Sequence, residues 1–328
     1  MDLVADAEAL ADEVLFPAAL ATDAADAVPS GNLDALASLG LYGIFAPPEV
    51  GGLGADFPSM ARTVEAIAGG CLTTALVWIQ HFGLLGSVLG GPDHLRDAWL
   101  PDICRGDRRG GIAFGGLLPG TPVLTATPVD DDGWRLDGFA PWVSGWTRID
   151  VLHVAARGAA GDTVVNLAID AVEQPGLSIT RQRLAALDAS VTVRAGFDGL
   201  VVPAERLLGT TPYDPEASLG ASLRLNGSLA LGVARRCCAL LGGSPFDDEL
   251  AERRAAIDAA DADEMAAERA RTSELAFRAA GALVVHAGSR AVRSDDHAQR
   301  LLREAMFLLV FGSRPMIKDE LAPLLRRR

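Results

Sequence analysis

The side chains best able to hold a metal or act as nucleophiles are four cysteines and five histidines. Cys71, Cys104, Cys237 and Cys238 form no Cys-x-x-Cys pair, and neighbours 237 and 238 on a helix point in different directions. Neither a metal site nor a disulfide framework is expected; the four read as buried, small apolar thiols. His81, His94, His153 and His297 show no metal-ligand spacing and read as ordinary core or surface residues. The fifth stands in His286-Ala287-Gly288, ahead of Arg290 and Arg293. Those guanidiniums could face a phosphate, or be solvated arginines at a helix end. No metal chemistry is expected.

The elements that must position these groups come in three blocks. Leu3-Val4, Leu10, Val14-Leu15 and Leu20 recur at helical spacing, and Leu33 to Leu41 repeat it. Pro47-Pro48-Glu49-Val50-Gly51-Gly52-Leu53-Gly54 is a loop, because prolines and glycines cannot continue a helix. Helices resume over 60–68, 72–89 and about 92–104. The period then changes. Short β-type runs are expected at 111–116, 123–127, 134–136, 142–144, 151–155, 163–169, 177–180, 191–197 and 200–202. Asp130-Asp131-Asp132-Gly133 reads as the turn of a hairpin. From about Pro215 the pattern is helical again: 223–241 closed by Gly242-Gly243, a helix from Ser244-Pro245 running on to Ala287, then 296–311 and 315–325. The acidic-alanine stretch 255–267 reads as a solvated helix face or a helix joint. Three domains follow: residues 1–109 α-helical, 110–210 a β-barrel or sandwich, and 211–328 a shortened helical bundle, a multidomain α+β fold.

Bulk properties narrow the classes. Hydrophobic residues are 49% and charged residues 22%, so a large core can form and disorder is excluded. A net charge of −14 repels phosphate backbones, so nucleic acid is not an expected partner. The N-terminus lacks a basic start followed by an apolar core, and no secretion signal is expected. No stretch of about eighteen residues is expected to be free enough of charge and turn signals to span a membrane. A cytoplasmic protein is expected.

Several segments together resemble the acyl-CoA dehydrogenases. The run Leu39 to Gly54 is similar to that family's N-terminal Gly-Leu-x-Gly…Pro…Gly-Gly-x-Gly loop, and Glu65 lies where the family often has a glutamate. Leu100-Pro101 with Gly106 resembles its lead into the β-domain. Gly133 to Gly138 followed by Trp142-Val143-Ser144 resembles its Tyr-x-Leu-x-Gly-x-Lys-x-Trp-Ile-Thr stretch, and Asp188 to Gly209 its β-domain exit. Over residues 30 to 210 the segments keep the family's order.

The resemblance implies FAD, bound between the β-domain and the C-terminal helices, and an acyl thioester substrate. Trp142 matches the tryptophan that lies on the flavin, though it would also suit as a packing aromatic of the β-domain. Ser144 matches the hydroxyl near the ring's reactive nitrogen. Phe114 and Gly116 stand where backbone groups face the flavin edge, although the family's Thr-Glu-Pro and Ser-Asp letters are absent. His286 and Gly288 resemble the His-Gly-Gly turn near FAD. Arg224 lies one position from the family's active-site arginine and is the candidate substrate contact. The family's base is a glutamate a fixed distance after an Arg-Asp-Ala-type motif. Here Arg303-Glu304-Ala305 is that motif, and the count ends at Gly312. Glycine cannot take a proton. Residues 217–246 contain no carboxylate either, so an alternative glutamate on the first C-terminal helix is missing, and the catalytic base is unknown. The family's Arg-x-x-Phe-Gly is replaced by Leu241 to Phe246 without arginine. Three readings stay open: a flavoprotein subunit of a homo-oligomer or of a hetero-oligomer whose related partner supplies the base; a self-sufficient flavin enzyme of oxidase or monooxygenase type; and a non-catalytic relative without flavin.

Overall fold

The computed structural model describes residues 2–129, 133–214, 220–312 and 314–326. Six α-helices come first: α1 (Leu3–Leu10), α2 (Phe16–Asp23), α3 (Ser30–Ser38), α4 (Phe57–Gly70), α5 (Leu72–Leu89) and α6 (Asp93–Arg105). One π-turn, Ala11–Leu15, joins α1 to α2. Asp2 and Asp56 accept from the backbone amides of Ala5 and Ser59, satisfying amides that an N-terminal turn leaves unpaired.

Eight strands follow: β1 (Gly110–Ala113), β2 (Leu124–Val129), β3 (Gly133–Val143), β4 (Val151–Gly158), β5 (Thr163–Asp170), β6 (Leu177–Arg181), β7 (Val193–Val202) and β8 (Leu207–Pro212). They form one sheet in the order β6-β7-β3-β2-β4-β5-β8, with β1 parallel to β4. The hairpin is present, with Thr127 opposite Arg135; its turn at Asp130–Asp132 lies outside the described residues. The expected runs 134–136 and 142–144 are two ends of the single strand β3, and 191–197 and 200–202 are joined within β7. A register shift between Leu136 and Asp137 lets the long β3–β7 ladder continue. Strand β8 was not foreseen, because Leu207-Leu208-Gly209 reads as an exit loop.

The last block is α7 (Gly220–Leu241), α8 (Phe246–Ala259), α9 (Met265–Ala287), α10 (His297–Leu308) and α11 (Pro315–Leu324). The expected start near Pro215 lies outside the described residues. The helix expected to run to Ala287 is broken at Ala260, so the acidic-alanine stretch is a joint. Gly242 and Gly243 end α7 with φ of +72° and +103°, the left-handed region that glycine enters at little cost.

One apolar core joins the first and last blocks: Leu33, Ile67, Leu72 and Trp78 pack with Leu229, Val233, Leu275 and Leu301. A second fills the sheet's inner face with Leu136, Val143, Val154, Leu167 and Val193. A third, with Leu85, Trp99 and Leu100, ties α5 and α6 to β4, β5 and β8. All four cysteines are free and buried. One sequence expectation needs correction: Leu72–Leu89 is long and apolar enough by composition to cross a membrane. It carries no charged residue, but its side chains are two-thirds buried, so its apolarity serves the protein core.

Candidate functional site

Trp142 lies near the end of β3, just after Pro141. Proline has no amide to donate to a ladder, and the β3–β7 register shifts between Ala140 and Val143 at this point. Such a bulge re-aims side chains. Val143 points into the core, while Trp142 is 63% exposed. Trp142 is therefore not a packing aromatic of the sheet; its ring is free to lie against a planar ligand.

Two residues on, Ser144 Oγ is 2.9 Å from Thr192 Oγ1, which is 2.8 Å from Ser190 Oγ. Thr192 and Ser190 are buried, so this hydroxyl chain is fixed and ends at the half-buried Ser144. The amide of Gly145 donates to Ser190 O at 2.7 Å, locking the turn. Beside it Val191 has φ +46° and Leu187 φ +60°. A β-branched residue in the left-handed region is strained, and such strain persists where the surroundings over-determine it.

The glycine-rich run is held inward. Gly116 is buried, and its carbonyl accepts from Arg157 Nε at 2.9 Å; Arg157 Nη2 also reaches Leu118 O at 3.2 Å. A Cβ on Gly116 would stand 2.5 Å from the Arg157 amide, which is why no side chain fits. Phe114 is half-buried and edge-on to His153, at 4.9 Å between ring centres. His153 is itself held by Gly83 O at 3.1 Å and Asn166 Oδ1 at 2.9 Å.

The C-terminal candidates sit elsewhere. His286 and Gly288 are exposed at the end of α9, a helix that packs on α7, α8, α10 and α11. Arg290 and Arg293 pair with Asp296 and Asp295. Arg224 is buried on α7, where it donates to Asp258 Oδ1 at 2.8 Å and Ser228 Oγ at 2.6 Å. Gly312 follows α10 with φ +59°, and a Cβ there would lie 2.7 Å from Asn226 Nδ2 on α7. Under this loop, the buried Arg269 donates to Leu308 O at 3.2 Å and Phe311 O at 3.3 Å. Burial without a carboxylate pulls its pKa down to about 10.

Sequence reasoning missed Arg157, Arg269, Asp258 and Asn226. Arg157 left a signal: it is the lone arginine in a strand that is apolar but for His153, all of it buried. Arg269 and Asp258 left none, since both lie in segments rich in charge.

Trp142 and Ser144 fit a flavin: an exposed flat ring and a fixed hydroxyl lie at one end of a strand. The two arginines expected to face a phosphate, Arg290 and Arg293, are already paired with Asp296 and Asp295.

Residues 2–107 match the acyl-CoA dehydrogenase N-terminal domain. The chain is 32% identical over 239 residues to a benzylmalonyl-CoA dehydrogenase of Aromatoleum aromaticum, covering 68% of this chain and 62% of that one. It is 25% identical over 207 residues to the human mitochondrial short-chain specific acyl-CoA dehydrogenase, covering 61% and 50%. The matched stretch thus spans one half to under two thirds of these relatives. In fold it is similar to a glutaryl-coenzyme A dehydrogenase solved with glutaryl-CoA, with a TM-score of 0.80 and 22% identity over 98% of this chain and 93% of that one. A dibenzothiophene monooxygenase from a Paenibacillus species has the same fold, with a TM-score of 0.80, 19% identity, and 99% and 97% covered. With that domain at its start, relatives of that kind over some two thirds of its length, and the family's helix–sheet–helix architecture throughout, the chain is a member of the acyl-CoA dehydrogenase family.

Proposed function

We propose that this protein is a flavin-binding subunit of acyl-CoA dehydrogenase type, acting on the Cα–Cβ bond of an acyl thioester, with the α-proton acceptor supplied by a related partner subunit. The observation that carries the reading is Gly312. The position expected to hold the base has no side chain, has a left-handed backbone, and abuts Asn226. FAD would accept the hydride that leaves the β-carbon while the α-proton goes to a carboxylate. On this chain Trp142 would cover a flavin face, and Ser144, steadied by Thr192, would offer a hydroxyl to the ring.

A multi-subunit site also suits the exposed His286-Ala287-Gly288 turn, which stands at the far end of α9 and would serve a neighbouring subunit's cofactor. Relatives named for benzylmalonyl-CoA and glutaryl-CoA make CoA thioesters the first substrates to try. A cytoplasmic setting suits such chemistry.

Titration of the purified protein with FAD tests the cofactor half of the proposal. A shifted, saturable visible band supports it, and a protein that stays colourless points to a relative without flavin. Co-expression with related dehydrogenase subunits tests the other half: turnover only in the pair supports it. A second reading, a self-sufficient flavin enzyme of oxidase or monooxygenase type, also suits a glycine at position 312. Reduction and turnover by the single chain would favour it.

A further inference from the structure

The bulge that exposes Trp142 leaves backbone groups outside the ladder. On β7, Arg194 alone lies between Ala195 and Val193; on β3, Pro141 and Trp142 both lie between the partners Ala140 and Val143. Two residues facing one is a β-bulge, and its extra residue drops out of the pairing. Proline brings no amide, so the group to satisfy there is its carbonyl. Pro141 O accepts from Nε2 of Gln182, a half-buried side chain. Gln182 stands just past the end of β6, and β7 lies between β6 and β3, so the side chain reaches past the start of β7 to make this bond. Its main chain is fixed as well. The Gln182 amide donates to Thr192 O at 2.9 Å, extending the β6–β7 ladder one step beyond Arg181 and Val193. The loop that follows is braced: Asp188 accepts from the Leu184 amide at 2.8 Å, Ala189 O from the Val28 amide at 2.8 Å, and Ala185 O from Arg303 Nη1 at 3.1 Å. Thr192 in turn carries the hydroxyl 2.9 Å from Ser144. Gln182 thus holds the peptide that leads into Trp142 and pairs with the residue that steadies Ser144.

We propose that Gln182 is a positioning residue of the cofactor site, one that sets the orientation of Trp142 through the Pro141 carbonyl. The inference rests on the reading of Trp142 as the residue that covers a flavin face. The Pro141–Trp142 peptide is planar, so fixing the direction of its C=O fixes the N–H and Cα of Trp142 with it. An exposed ring has few side-chain neighbours to orient it, and the backbone must do so. A ring held in one pose before the ligand arrives loses less freedom on binding, which strengthens binding without a new contact. The same bond contributes little to the fold, because Pro141 is half-buried and water can replace the donor.

The test is FAD titration, by flavin fluorescence, of the full chain carrying Gln182→Met, Trp142→Ala or both, with a melting curve on each sample. Gln182→Met keeps the volume and removes the donor. It should raise the FAD Kd about two- to tenfold, the range for one hydrogen bond. Its Tm should stay within about 2 °C of the wild type. In the Trp142→Ala background it should change the Kd no further, because the bond acts through that ring. Gln182→Glu has the same shape but, when ionised, only acceptors. It should weaken binding at least as much, and it carries the test if the methionine variant fails to fold. Equal FAD affinity in the wild type and Gln182→Met overturns the proposal and leaves the flavin reading standing. So does a loss that persists undiminished in the Trp142→Ala background, which would make Gln182 a general support of the sheet. A wild type that binds no FAD overturns the flavin reading and this proposal together.

Discussion

Gly312 faces Asn226 so closely that a Cβ on the glycine would lie 2.7 Å from the asparagine's side-chain nitrogen. The contact joins the loop after α10 to the first C-terminal helix, the two places where the family resemblance leads one to expect a carboxylate base. Gly312→Glu therefore meets two obstacles. The φ of +59° costs an L-residue about 1–2 kcal/mol, and Asn226 must move. Urea unfolding should show that loss, and Asn226→Ala should recover part of it in the double variant. A coupling energy near zero would mean the two positions do not meet.

Trp142→Ala should leave stability nearly unchanged, because the ring is largely exposed and buries little on folding. It should weaken FAD binding about tenfold, as expected for losing an aromatic contact of about 1–1.5 kcal/mol. Titration by flavin fluorescence, with a melting curve on the same sample, checks both. A large fall in Tm with unchanged FAD affinity would return Trp142 to a packing role.

Arg269 holds the last carbonyls of α10 and the loop that leads to Gly312. Arg269→Met keeps the volume and removes the donors. Hydrogen bonds from a charged group contribute about 1.5–3 kcal/mol, so a loss of that order is expected. Amide exchange should rise first at residues 308–312. Uniform destabilisation, with no preference for that loop, would contradict the capping role.

Acid should destabilise the fold in a defined window. Burial lowers the pKa of His81 to about 3 and of His153 to about 4. In the unfolded chain both titrate near 6.5, so below about pH 6.5 the unfolded state takes up protons first. Stability is full above that pH and falls towards about pH 4, by at most about 1.4 kcal/mol per pH unit for each histidine. His153→Gln should flatten the slope of unfolding free energy between pH 6.5 and 5 by up to one proton. An unchanged slope would show that His153 is not the group involved.

Most of the fold was legible because period and punctuation agree. The Pro-Gly loop at 47–54, the change from helical to alternating spacing near 110, and Gly242-Gly243 after α7 each have a local physical cause. Trp142 and Ser144 were singled out by the resemblance of Trp142-Val143-Ser144 to the family's stretch; strand alternation would not have placed them, because the β3–β7 register shifts between Ala140 and Val143 and Ser144 lies beyond β3. Boundaries that depend on pairing were less legible: β3 absorbed two predicted runs, and β8 exists because β5 needs a neighbour. The commitment of Arg224 to Asp258 could not be read, since thirty-four residues separate them and only helix packing brings them together. Nor could Asn226 be foreseen as the neighbour of Gly312.

The central claim is that this chain can carry flavin but brings no base of its own. Anaerobic mixing of the FAD-loaded protein with a panel of acyl-CoA thioesters, followed at the visible flavin band, tests it most directly. The band should persist with the chain alone and bleach when a related dehydrogenase subunit is assembled with it. Rapid bleaching by the chain alone, at a rate that supports turnover, would contradict the account and require a base within this sequence.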